Sequence, residues 1–149
     1  MAFQFRFASL LKIHRRSRDE AGAEVGKASR AIEKIDQQIR AILAERKAMQ
    51  DRSTQSRVGN IAVDQILAQG RYDLQLQAET NALHETRRQL EQELERRQQI
   101  LRAAESEVKR FERLLENERA TYHAEQLKRE QAAADDASSA RYLIRSRQS

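Results

Sequence analysis

Two long runs of residues spaced alternately four and three apart dominate this chain. In the first, Phe7, Leu11, His14, Arg18, Ala21, Val25, Ala28, Ile32, Ile35, Ile39, Ile42, Arg46 and Met49 keep the stride. In the second, Leu83, Arg87, Leu90, Leu94, Arg97, Leu101, Ala104, Val108, Phe111, Leu115, Glu118 and Tyr122 keep it again. A mostly apolar repeat of this period marks helices that bury one narrow stripe against another helix. The fold class that follows is all-α: a long two-helix antiparallel coiled-coil hairpin. Composition agrees, because 39% hydrophobic and 5% aromatic residues against 34% charged cannot fill a globular core of normal thickness but suffice for one shared seam. Proline is absent and glycine occurs four times, so little interrupts a helix.

Residues 53–60, Ser-Thr-Gln-Ser-Arg-Val-Gly-Asn, are the one segment that gathers turn formers. Gly59 tolerates left-handed backbone and Asn60 can cap the helix that follows. The expected organisation is a single hairpin. An extended arm carries Phe3, Phe5 and Phe7, and helix 1 runs from about 9, capped by Ser9, to about 52. After the turn, a longer helix 2 runs from about 61 to about 134, and residues 135–149 form a flexible basic tail. Folding back about the turn pairs residues whose numbers add to about 113, within one helical turn. That register sets Ile42 by Tyr72 and Leu74, brings Phe7 within reach of residues 104–111, and leaves helix 2 overhanging from about Leu115. A parallel homodimer is the rival, but its heptads would continue through residues 53–60.

Near the turn the second stripe weakens. Stepping back from Leu83 meets Thr80, Leu76, Asp73, Gln69 and Ile66, while Leu43, Leu67, Tyr72, Leu74 and Ala78 fall off the seam. Two readings stand: an apolar patch for a partner, or a local shift of register that buries these side chains.

The net charge is +5, and its placement says more than its size. Residues 1–18 carry Arg6, Lys12, Arg15, Arg16 and Arg18 with no acid, and residues 141–149 carry Arg141, Arg145 and Arg147 with none. All acids lie between Asp19 and Asp136, so the positive excess belongs to the two chain ends. A solvated, salt-screened surface explains such ends as simply as a docking site does.

Chemistry-bearing patterns are missing. His14, His84 and His123 lack the i, i+4 partner of a helical zinc site, cysteine is absent, and there is no P-loop, GxGxxG or nucleophile elbow. No enzyme activity, cofactor, metal or small-molecule substrate is expected of two helices without a concave pocket. Nucleic acid is an unfavoured partner: the arginines of helix 2 are interleaved with glutamates that cancel the field phosphate contacts need, and stacking aromatics are few. No apolar run is long enough to span a bilayer and residues 1–13 do not read as a signal peptide, which makes a cytosolic protein the default.

The opening Phe3-Gln4-Phe5-Arg6-Phe7 with Leu10-Leu11, the polar heptad hairpin, and Val108-Lys109-Arg110-Phe111-Glu112 late in helix 2 resemble the FliJ family of the flagellar type III export apparatus. The similarity covers nearly the whole chain, and the F-x-F-R-F-x-x-L-L opening is its most specific part. The resemblance implies a non-enzymatic stalk of the export ATPase, bound in the pore of the FliI ring and contacting the export-gate protein FlhA and export chaperones. It implies a cytoplasmic protein held peripherally at the membrane. The end bearing both termini, here the basic one, would face the ATPase through Arg6, Lys12, Arg15, Arg16 and Arg18. The family's gate contact lies early in helix 2, where only Tyr72 and Leu76 match; the next helical steps, Glu79 and Leu83, depart from the pattern. The stalk of an injectisome and a nucleic-acid-binding helical arm are the alternatives.

Overall fold

The computed structural model describes residues 2–56 and 62–148, which form two helices, α1 (Ala8–Ser56) and α2 (Val63–Gln148), arranged as a hairpin. No strand occurs among the described residues. Every residue of both heptad runs is buried or half-buried, and the residues between them are largely exposed. The repeat therefore does in the fold what its period predicts: one stripe per helix is removed from water and the rest is solvated.

By internal packing the chain divides into two units, one of Asp19–Arg102 and one of Met1–Arg18 with Ala103–Ser149. In the first, Ala28, Ile39 and Leu76 are buried, together with Thr80, whose hydroxyl donates to the Leu76 carbonyl at 2.9 Å. That bond to the preceding turn lets a polar residue sit in the seam without an unmet donor. Arginines at seam positions are also answered. Arg46 grips Asp73 with two bonds, Nε to Oδ1 at 2.8 Å and Nη2 to Oδ2 at 3.3 Å. Arg87 holds Asp36 likewise, at 2.6 and 3.4 Å. Arg97 donates to the Glu24 carbonyl oxygen at 3.0 Å and lies 3.6 Å from its carboxylate. These pairs all cross between the helices, and a polar pair inside a seam penalises every alignment in which its partner is missing.

The same pairs correct the register expected from the sequence. Asp36 meets Arg87 instead of a residue near 77, and Arg46 meets Asp73 instead of one near 67. The cause lies in the helix ends. α1 continues to Ser56 and α2 starts at Val63, so both ends move toward the C-terminus and carry the fold-back point with them. Long arginine side chains account for the rest, because they reach along the partner helix by about one turn. Residues 53–56, expected in the turn, are helical, while Gly59 and Asn60 lie outside the described residues. The amides of Gln65 and Ile66 donate to the Ala62 carbonyl at 3.0 and 3.3 Å, and Asp64 places a negative charge in the first turn of α2, where the helix dipole favours it.

In the other unit the aromatic arm leads directly into α1. The Ala8 amide donates to the Phe5 carbonyl at 3.3 Å and the Leu11 amide to the Phe7 carbonyl at 2.9 Å, so Ser9 lies inside the helix instead of capping it. Leu11, Val108 and Phe111 form a buried cluster that Phe5, Phe7 and Leu115 close over. Pairing continues past the overhang expected at Leu115: Arg6 lies 3.5 Å from Glu118, and the Phe3 and Tyr122 rings are 5.5 Å apart. Beyond that, α2 remains helical to Gln148, where the sequence suggested an unstructured tail. Ala132, Ala133, Ala134, Ala137 and Ala140 give this stretch high intrinsic helix propensity, and Arg145 and Arg147 in the last turn complement the dipole. From Leu127 to Gln148 every residue is exposed.

The ion pairs set a pH dependence. Hydrogen bonds from Arg87 and Arg46 hold the Asp36 and Asp73 carboxyls below their ordinary values, and Lys27 and Arg88 do the same for Glu24 and Glu85. A carboxyl depressed in the native state contributes stability in full above its unfolded value and loses it as pH falls through the native one. Thermal unfolding followed by circular dichroism should therefore show a nearly constant Tm above about pH 5 and a falling one below about pH 4. The double substitution Asp36→Asn/Asp73→Asn should lower Tm at neutral pH and flatten the acid decline.

Candidate functional site

Two surfaces emerge, one on each unit. The first is built on the aromatic arm. Phe7 meets Phe111 edge-on with centroids 6.1 Å apart, Phe5 meets Phe7 at 5.9 Å, and the His14 ring stacks on Phe111 at 4.8 Å with an interplanar angle of 22°. Arg6 lies over the Phe7 ring at 4.6 Å and Arg119 over Phe3 at 5.7 Å. Rings and cations in these arrangements contribute beyond their buried area, and they pin a segment that has no helix of its own. The specific opening of this sequence thus has a structural use: alternate phenylalanines of an extended arm reach the flank of α2.

The five basic residues expected to form one docking face do not behave alike. Arg6 is engaged by Glu118 and Phe7, and Arg15 donates to Glu112 at 3.3 Å. Arg18 is half-buried at its seam position and borders a shallow groove with Glu105, Val108, Lys109 and Glu112. Lys12 and Arg16 are exposed and have no ion pair among the described residues. They stand four residues apart on the outward side of α1; exposed Ile13 is three residues from Arg16, and exposed Leu10 is three residues before Ile13. Leu10 and Ile13 were not singled out as candidates by the sequence, although their positions off the seam were a usable signal. Arg141, Arg145 and Arg147 lie farther along α2, about 30 Å beyond Tyr122 at the rise of an α-helix, so they are a separate basic segment and not part of this face.

The second surface lies in the unit Asp19–Arg102. Tyr72 is 39% exposed and its hydroxyl donates to Glu45 of α1. That bond to Glu45, with partial burial and the nearby Glu79 charge, holds the phenol above its usual value and keeps it protonated. Leu76, the other residue carried over from the family pattern, is 3% exposed and turned into the seam. It supports the surface from beneath and offers a partner nothing directly. The residues that departed from the pattern are the ones brought together. Glu79 and Leu83 line a shallow apolar groove of about 520 Å³ with Gln38, Ala41, Ile42, Ala82 and Thr86. Small side chains at Ala41 and Ala82 open this groove beside the seam. Of the apolar residues off the seam, Leu43, Leu67, Tyr72 and Leu74 are exposed, which decides against a register shift that buries them.

Among the described residues no group of three or more His, Asp or Glu is placed to hold a metal ion, and no helix is long and apolar enough to cross a membrane. The family model for the flagellar FliJ protein matches residues 3–147. The chain belongs to the FliJ family. That family is non-catalytic and flagellar, which makes this FliJ-family chain a protein related to flagellar export. The match begins at Phe3, the first ring of the arm, and so spans both candidate surfaces. No curated protein and no solved structure matches the chain.

The arm's role predicts a clear hierarchy. Phe111→Ala, which removes the ring that Phe7 and His14 both touch, should cost about 3–5 kcal/mol in urea denaturation. Lys12→Ala should change stability by less than about 0.5 kcal/mol.

Proposed function

We propose that this FliJ-family chain is a non-enzymatic adaptor of the flagellar export apparatus that binds the export ATPase ring, FliI, at its aromatic-arm unit and the export-gate protein FlhA at Tyr72 and the groove of Glu79 and Leu83. The observation that carries the ATPase contact is the pair Lys12 and Arg16. Both are exposed cations with no ion pair among the described residues, and Arg16 adjoins exposed Ile13, which adjoins exposed Leu10 in turn. An apolar centre with a charged border is the composition of a protein interface, and unpaired cations favour an acidic counterpart. Arg6 and Arg15 contribute mainly by fixing the arm and α1 against α2, and Arg18 already has an interaction within the chain.

The gate contact rests on exposed Tyr72 and, one heptad farther along α2, on Glu79 and Leu83 of the shallow groove, with Leu76 buried in the seam between them. A groove between two helices that is apolar at its floor and polar at its edge accepts an apolar segment of a partner. Export chaperones are a third class of partner, and the working place of the protein is the cytoplasm, peripherally at the cytoplasmic face of the membrane. Family membership favours the flagellar system over an injectisome. A nucleic-acid role has little support, because arginines of α2 such as Arg88, Arg96, Arg97 and Arg110 are paired with glutamates three or four residues away.

Titration calorimetry with the cognate ATPase checks the first contact. Lys12→Glu/Arg16→Glu should weaken binding about tenfold or more with helix content unchanged. Arg141→Glu/Arg145→Glu should have a smaller effect. Equal loss from both pairs would assign the affinity to net charge and remove Lys12 and Arg16 from their role. For the gate, Tyr72→Ala should reduce binding to FlhA and leave ATPase binding intact.

A further inference from the structure

α2 carries a second apolar stripe to one side of the main seam, and its Gly70 also borders a shallow groove with Met49, Gln50 and Ser53 of α1. Val63, Leu67, Gly70 and Leu74 are spaced four, three and four apart, so they form a short heptad of their own, and Leu67 and Leu74 were among the residues left off the main seam. Val63 is 69% exposed, Leu67 52% and Leu74 65%, and a Cβ added at Gly70 would meet nothing within 4 Å. The stripe ends at the next two heptad steps, Gln77 and Asn81. Immediately beside it stand Asp64 and Arg71, seven residues apart on one edge, and neither has an ion pair among the described residues.

We propose that this stripe is a self-association surface, through which two copies of the chain pair antiparallel about a two-fold axis passing between Leu67 and Gly70. In that arrangement Leu67 of one copy enters the space over Gly70 of the other, and Val63 packs on Leu74. The two equivalent edges lie side by side, which brings Asp64 of each copy against Arg71 of its mate, twice by symmetry. The parallel alternative is disfavoured on the same grounds. It sets Gly70 against Gly70, leaving a void, and separates Asp64 from Arg71 by about two helical turns. The stripe covers only about 17 Å of helix, less than a permanent interface needs, so the dimer is weak and concentration-dependent, with a Kd on the order of 100 µM. A weak isologous contact of this kind matters where copies of the chain are gathered locally.

Sedimentation equilibrium of the full chain over a concentration series tests the pairing. The wild type should move from monomer toward dimer as concentration rises from about 10 µM to about 1 mM. Leu74→Asp should abolish the change. Asp64→Arg alone and Arg71→Asp alone should each weaken association about tenfold, because like charges then meet twice. An equimolar mixture of those two variants should recover it, since in the antiparallel pair the arginine introduced at position 64 of one variant meets the aspartate introduced at position 71 of the other, and Arg71 of the first meets Asp64 of the second. All these positions are exposed, and circular dichroism should show unchanged helix content. A wild type that stays monomeric at every concentration, or a mixture no stronger than its components, would overturn the proposal.

Discussion

A heptad seam interrupted by arginines that find carboxylates across it is the constraint on which this structure depends. A purely apolar stripe of Ala, Ile and Leu would let one helix slide along the other by a heptad at little cost, because each step presents nearly the same surface. Arg46 with Asp73, Arg87 with Asp36 and Arg97 with Glu24 remove that freedom, since any other alignment leaves a half-buried cation without its partner. Their contribution to stability is modest at such exposure; their contribution to alignment is what positions Tyr72 beside Glu45 and gathers Glu79, Leu83 and Ile42 around one groove.

The other unit uses a different device. Aromatic packing substitutes for ion pairs, and rings from an extended arm, Phe3, Phe5 and Phe7, fasten the entry of α1 to Phe111 and Tyr122. Fixing the arm engages Arg6 and Arg15 with Glu118 and Glu112, while Lys12 and Arg16, on the same stretch of chain, stay exposed with no ion pair among the described residues. Function is proposed there because a charge already satisfied within the chain has less to offer a partner than one that is not.

Much of this was legible in the amino-acid order. The helical period, the number of helices, the seam residues and the Phe7 to Phe111 neighbourhood follow from spacing alone, because a 3.5-residue repeat has one structural solution at this length. What spacing does not encode is where the helices stop. Residues 53–56 look like turn formers, yet Ser53 and Thr54 continue α1, with the Thr54 hydroxyl donating to the Gln50 carbonyl at 2.9 Å. That displacement moved the register and with it the pairs Arg46 with Asp73 and Arg87 with Asp36. The same blindness hid the division among the basic residues, since it depends on which acid a side chain meets across the hairpin, whereas the burial of Leu76 follows from the stride that leads back from Leu83. The length of the terminal helix follows from the alanine content of residues 132–140, a signal that the polar composition of the same stretch masks.

The account stands on one claim, that the chain engages an export ATPase as a helical adaptor without catalysing anything itself. Measuring the hydrolysis rate and oligomer size of the cognate ATPase with and without the protein addresses this directly. Faster hydrolysis together with a shift toward the assembled ring is the predicted result. Unchanged hydrolysis with no binding would contradict it.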